Sequence, residues 1–300
     1  MGLKLPKRLR TATLGALLVP TLLFLSACSE QDKQTWKRGA IPEGASNHSQ
    51  SITELWQWTW VAALATGILV WGLIFFVVIK FRRRSDDEIP VQTRYNLPME
   101  ILYTIAPVVM VLVFFHFVIQ TQNSVNAEVK NPDHVIKVVG QQWSWTFNYV
   151  DDSALGGSGD ASNCQGTTSQ TCVFEPGTPA RIPTLVLPVG ESVRFELSSP
   201  DVIHSFWVPA FTYKMDVIPG RDNYFNLTPD REGTFAGKCT ELCGTYHSRM
   251  LFNVRVVSAE DFKAELERLR AEGNTGLALG GSEATTQHGL EPQDAKVSGE

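Results

Sequence analysis

Three apolar runs lie in the first 120 residues, and no run of similar length follows them. Residues 59–79 hold 21 positions without a charge, and residues 101–119 hold 19, with His116 as their one ionisable side chain. A helix needs about 20 apolar residues to cross a bilayer, so both runs are predicted to span. Trp56, Trp58 and Trp60 crowd one end of the first span, as an interfacial belt does, while Lys80, Arg82, Arg83 and Arg84 crowd the other. Excess Lys and Arg marks the cytoplasmic side. The second span then returns outward, and everything past about residue 122 lies outside the cytoplasm. Pro107 interrupts one hydrogen bond, which membrane helices tolerate. His116 reads as a helix-packing residue near the outer interface.

The remaining run, residues 14–25, follows Lys4, Lys7, Arg8 and Arg10 and ends in Leu25-Ser26-Ala27-Cys28. A basic start, a short apolar stretch and small residues form an export signal. The cysteine directly after them resembles a lipoprotein signal, so Cys28 is predicted to carry lipid and to begin the mature chain. An outside N-terminus agrees with the topology read from the spans.

From residue 135 the period changes. "VIKVVGQQWSWTFNYV" is rich in β-branched and aromatic residues, "TLVLPVGESVRFELSS" reads as two strands about a Pro-Val-Gly-Glu turn, and "DNYFNLTPDREGTFAG" as another pair turning near Pro229 and Asp230. In "MLFNVRVV", Leu251, Asn253 and Arg255 alternate with Phe252, Val254 and Val256. Many short strands separated by turn residues predict a β-sandwich or barrel. Ser258-Ala-Glu-Asp is a capping signature for a helix through about Ala271, and a Gly/Ala/Thr/Ser/Gln-rich tail predicted to be disordered follows. The predicted organisation is a signal at 1–27, an outer segment at 28–51, a two-helix transmembrane hairpin at 52–122, an all-β domain at 123–257 with an insert at 151–178, a helix at 258–272 and a tail at 273–300. The net charge of -5 gives nucleic-acid binding no support.

Five cysteines punctuate this plan. An oxidising outer compartment favours pairing, and Cys164 and Cys172 sit in the Gly/Ser/Asp-rich insert, where a loop disulfide is predicted. Cys239 and Cys243 fall in "KCTELCGTYHSRM" beside His247 and Met250, with His204 upstream in "DVIHSFWVPAF", just after a predicted strand. Thiolate, imidazole and thioether are soft ligands, and a loop supplying Cys, His and Met to an upstream histidine is the logic of a cupredoxin copper site. Two cysteines instead of one would let thiolates bridge two ions. A second disulfide, a Cys₂His₂ zinc site that leaves Met250 idle, and plain core roles for Met250 and His204 are the other readings of the same residues.

Taken together, "DVIHSFWVP", "KMDVIPGR" and "GKCTELCGTYHSRM" resemble subunit II of haem-copper cytochrome c oxidase over about residues 50–265. The resemblance implies a cupredoxin-like Greek-key head behind the hairpin. It implies a dinuclear CuA centre bridged by Cys239 and Cys243, with His204 and His247 on one copper each. Met250 and the Glu241 carbonyl would be weak ligands, and the Glu241 carboxylate would help to hold magnesium shared with subunit I. "GQQWSWTFNY" places Trp143 as the point of electron entry from a c-type cytochrome, with Trp145 packed behind it. "MEILYTIAP" places Glu100 at the entrance of a proton path in subunit I, although a carboxylate at a helix start is favourable by itself. Asp201 and Asp216 are candidates for attracting a basic cytochrome face. The implied function is electron entry to a proton-pumping oxidase in the bacterial cell membrane, alongside subunit I and other oxidase subunits. A membrane-tethered copper carrier or sensor is the different-class alternative, and Glu100 and Glu241 argue against it. A third reading, the copper domain of nitrous-oxide reductase, is disfavoured by the two spans. The lipoprotein signal, the insert and the tail depart from the common family pattern. The insert suggests a membrane-tethered rather than a soluble cytochrome donor.

Overall fold

The computed structural model describes residues 29–85, 87–150, 173–221 and 223–275. Cys28, Cys164 and Cys172, and with them the lipidation site and the insert disulfide, lie outside the described residues. The chain divides into two units, Met1–Glu43 and Gly44–Glu300. The first contains helix α1, Glu30–Lys37, started by a capping box in which Ser29 and Asp32 serve each other's backbone N–H.

The second unit begins with two long helices, α2 (Ser49–Lys80) and α3 (Leu97–Val125). Their apolar stretches are the predicted spans, and none of that surface is buried within the chain. Such a surface needs lipid or a partner around it. Both helices extend past their apolar runs into polar sequence, and α2 starts ten residues before residue 59. The extra turns carry the hairpin up to the β domain. There, residues 44–49 form a strap. Ala45 N donates to Ala210 O at 2.7 Å, Asn47 N to Thr228 O at 3.0 Å, and Ser46 Oγ to Phe211 O at 2.9 Å. His48 Nε2 lies 2.8 Å from the Asn226 carbonyl.

The strands are β1 (His134–Gln141), β2 (Ser144–Val150), β3 (Val173–Pro176), β4 (Thr184–Pro188), β5 (Val193–Ser198), β6 (His204–Val208), β7 (Tyr213–Val217), β8 (Asn223–Leu227), β9 (Gly233–Cys239) and β10 (Leu251–Val257). They form two five-stranded sheets, ordered β3-β2-β1-β5-β8 and β4-β10-β9-β6-β7. Of the first three stretches, "VIKVVGQQWSWTFNYV" is a hairpin, β1 with β2. The other two stretches read as strand pairs cross between sheets: β4 joins β10 while β5 joins β1, and β8 joins β5 while β9 joins β10 and β6. Alternation and turn residues locate strand ends, but a turn that crosses a sandwich uses the same residues as one that closes a hairpin.

The sandwich core is aromatic. Phe206 stacks on Phe252 and Phe195 on Phe225, each at 4.8 Å and 18°. Trp145 meets Phe206 and Phe252 edge-on. β10 shows the predicted alternation, with Phe252, Val254 and Val256 buried. Helix α4, Ala259–Ala271, starts at Ser258, whose Oγ accepts from Asp261 N at 3.1 Å. Its Phe262, Leu266 and Leu269 stripe packs on β3 and β4.

Candidate metal centre

Sheet register brings the distant ligand types together. β6 and β9 are antiparallel neighbours, pairing Phe206 with Cys239, so His204 and Cys239 reach the same end of one sheet. His204 therefore opens β6, whereas the sequence placed it only after a strand. Residues 240–250 leave β9 and return as β10. Cys239 N donates to Met250 O at 3.0 Å, and Thr240 N to Ser205 O at 3.1 Å. These bonds close the mouth of the loop. Inside it, a single 3₁₀ turn, His247–Arg249, folds His247 and Met250 back toward the cysteines.

The donor atoms follow one another closely. His204 Nδ1 lies 3.9 Å from Cys239 Sγ, Cys239 Sγ 3.8 Å from Cys243 Sγ, and Cys243 Sγ 3.5 Å from His247 Nδ1. Met250 Sδ is 3.8 Å from Cys243 Sγ, and the Glu241 carbonyl oxygen is 3.3 Å from Cys239 Sγ. The His204, Cys239 and Cys243 donors all lie within 4.8 Å of one another. His204 and Met250 are fully buried and the two cysteines nearly so.

These residues fit a soft metal ion. The sulfurs stand 3.8 Å apart as free cysteines, whereas a disulfide would bring them to about 2.05 Å. Two sulfurs sharing an ion at about 2.3 Å each can stand up to about 4.6 Å apart. Burial pushes the Cys239 thiol up, but hydrogen bonds from His204 and the Ser205 backbone outweigh it and bring it to about 7. Burial and the neighbouring Cys239 push Cys243 up to about 12. Cys239 is the more readily ionised of the two, and a bound cation would draw the protons from both thiols.

The surroundings fix the donors. His204 Nε2 bonds Asp201 Oδ1 at 2.9 Å, which leaves Nδ1 to face Cys239. Asp201 also accepts from Gln142 N at 2.7 Å and Val202 N at 2.6 Å, so its carboxylate is largely engaged, although Asp201, like Asp216, is a surface residue. Burial raises the Asp201 carboxyl, yet hydrogen bonds from His204, Gln142 and Val202 prevail and hold it below the usual carboxylate range. Trp143 is half-buried at the β1–β2 turn, and its Nε1 donates to Cys243 O at 3.2 Å. Gln142 Nε2 donates to the same oxygen at 2.7 Å. Trp145 lies fully buried, edge-on to His204 with centroids 6.2 Å apart, and donates Nε1 to Met250 O at 3.4 Å. Gly140 makes room for this contact, since a Cβ there would lie 3.0 Å from Trp145 and 3.3 Å from His204.

Sequence reading missed Gln142, Tyr246 and Gly244. Tyr246 meets Trp143 edge-on at 4.9 Å, and Gly244 takes φ +119 close beside the indole. Their signal was local: Gly244 follows a metal-type cysteine, and Gln142 adjoins the candidate tryptophan. Among the described residues, one predicted site residue stands away from this cluster. Glu100 lies in the first turn of α3, its carboxylate accepting from Asn96 N at 3.0 Å. The exposed His116 lies within α3, edge-on to Phe117.

Family comparison matches residues 134–257 to cytochrome C oxidase subunit II, periplasmic domain, and residues 34–119 to its transmembrane domain. The chain is 44% identical over 303 residues to a probable cytochrome c oxidase subunit 2 of Streptomyces coelicolor, covering 94% of this chain and 92% of that one. It is 34% identical over 309 residues to cytochrome c oxidase subunit 2 of Mycobacterium tuberculosis, covering 89% and 84%. Among solved structures, it is similar to the periplasmic domain of subunit II of cytochrome oxidase of Bradyrhizobium japonicum, at 30% identity and TM-score 0.39, covering 48% of this chain and 99% of that one. These relatives do not favour a free copper carrier. The chain belongs to the cytochrome c oxidase subunit II family, the electron-entry subunits of haem-copper oxidases.

Proposed function

We propose that this subunit takes electrons one at a time from a c-type cytochrome at Trp143 and passes them through a dinuclear copper centre to haem in subunit I, where oxygen is reduced and protons are pumped. The observation that carries this is the order of the donors: His204, Cys239, Cys243, His247, each 3.5–3.9 Å from the next. Ligands of one ion at about 2.0–2.3 Å stand no more than about 4.6 Å apart. His204, Cys239 and Cys243 have donors within 4.8 Å of one another, while His247 approaches from the Cys243 side, so a histidine stands at each end of the sulfur pair, an arrangement that would suit two ions. Met250 and the Glu241 carbonyl would complete one ion each.

His204, Cys239, Cys243, His247 and Met250 would hold the copper, which would supply a one-electron store. The chain's own residues set its terms. Asp201 orients His204, the buried sulfurs and Met250 exclude water, and the Trp143 indole is bonded to a ligand-bearing residue. Glu241 is exposed on the loop, where its carboxylate would share magnesium with subunit I. Glu100 would serve the proton-path entrance from the cytoplasmic end of α3. The Lys/Arg cluster at 80–84 supports a copper domain on the extracytoplasmic side. The insert at 151–178 would meet a membrane-tethered cytochrome.

Metal analysis of the purified oxidase tests this reading. Cys243→Ser is expected to lower its copper content by two ions relative to the unmutated complex. A loss of one ion, or stoichiometric zinc in the unmutated chain, would overturn it.

A further inference from the structure

Asp201 touches both halves of the electron path. One carboxylate oxygen, Oδ1, accepts from His204 Nε2 at 2.9 Å and Val202 N at 2.6 Å. The other, Oδ2, accepts from Gln142 N at 2.7 Å. Gln142 immediately precedes Trp143, and both side chains bond the Cys243 carbonyl, at 2.7 and 3.2 Å. The result is a closed circuit. Trp143 is tied to Cys243, Cys243 stands beside Cys239, Cys239 faces His204, and His204 returns through Asp201 to the amide before Trp143.

We propose that Asp201 is a positioning residue for electron entry, clamping the Trp143 turn to His204 so that the indole and the metal donors keep one fixed geometry. The proposal rests on the copper reading above. A free docking charge would point into solvent with unused lone pairs. Asp201 instead accepts from His204, Val202 N and Gln142 N, and its side chain is 27% exposed. Its lone pairs are largely occupied by its own neighbours. Carboxylates that hold a metal-ligating histidine by its second nitrogen typically matter about 10- to 100-fold for metal affinity or activity. Here the same group also holds the residue before the entry tryptophan.

Two variants in the assembled oxidase separate clamp from docking charge. Asp201→Asn keeps an oxygen for His204 but presents an N–H₂ to the Gln142 N–H. It is expected to slow copper reduction by saturating reduced cytochrome c about 10- to 100-fold and to move the copper potential upward, because a negative charge is lost beside it. Asp201→Glu keeps the charge and displaces the oxygens by one methylene. It is expected to leave the KM for cytochrome near wild type while the saturating rate falls. A Glu variant with the wild-type saturating rate overturns the clamp. So does an Asn variant in which only the KM and its ionic-strength dependence change, with copper spectrum and potential untouched. Absence of a two-copper signal in the unmutated oxidase would instead count against the metal reading itself.

Discussion

The indole Nε1 of Trp143 donates a hydrogen bond to the backbone carbonyl of Cys243 at 3.2 Å. A half-buried aromatic on one sheet is thereby joined, through a single polar contact, to a residue whose sulfur belongs to the donor cluster of the other. Trp143→Phe keeps an aromatic side chain but removes the N–H donor together with the five-membered ring that bears it. Steady-state turnover with reduced cytochrome c is expected to fall about tenfold or more, with copper content unchanged. Stopped-flow reduction of the copper band checks it, and an unaltered rate would show that electrons enter elsewhere.

Gly244 sets the height of that contact. Its φ is +119, and a Cβ would lie 3.1 Å from Gln142 Nε2 and 3.2 Å from the Trp143 ring. Gly244→Ala is expected to cost about 1–3 kcal/mol, read as a lower thermal midpoint, and to slow electron entry by pushing the indole outward.

The strap makes a separate prediction. Asn47 Oδ1 accepts from Thr228 N at 3.0 Å while Asn47 N donates to Thr228 O. Asn47→Ala strands a backbone donor and is expected to destabilise the head by about 1 kcal/mol. The optical spectrum of the copper site should not change. A spectral change would mean that the strap acts on the metal loop as well as on its support.

Helix α4 is held by charge as well as by its apolar stripe. Arg268 bonds Glu265 at 2.6 and 3.2 Å, Arg255 of β10 bonds it at 2.9 Å, and Arg268 also bonds Glu272. The Arg268 bond, opposed by partial burial and assisted by the charges of Arg268 and Arg255, holds the Glu265 carboxyl below its ordinary 4.5. A depressed folded value means that this contribution is complete above about pH 4.5 and is lost as pH falls through the lower folded value. Glu265→Gln is expected to cost about 1 kcal/mol at neutral pH, since the arginines are half-exposed and screened. Acid unfolding curves of variant and parent should converge below that window.

Much of this was legible in the chain because each signal was local. Apolar runs of 21 and 19 residues fix two spans, and Ser258 with a following acidic turn announces α4. The soft ligands of residues 239–250 are conspicuous whatever the fold around them. What escaped was non-local. Pro-Val-Gly-Glu between β4 and β5 is a turn in either topology. Only the packing of two apolar faces decides that these strands part company, and nothing in "DVIH" says that the aspartate bends back onto the histidine three residues later. Residues 44–49 look like a polar prelude to a membrane helix, and their contacts with residues 210, 211, 226 and 228 depend on the finished sandwich.

The central claim is that Cys239 and Cys243 hold two copper ions between His204 and His247. Electron paramagnetic resonance of the purified oxidase tests it most directly. The expected spectrum carries the hyperfine pattern of one unpaired electron shared by two equivalent copper nuclei, and Cys243→Ser abolishes it. The pattern of a single copper nucleus from this subunit, or a silent site filled with zinc, would contradict it.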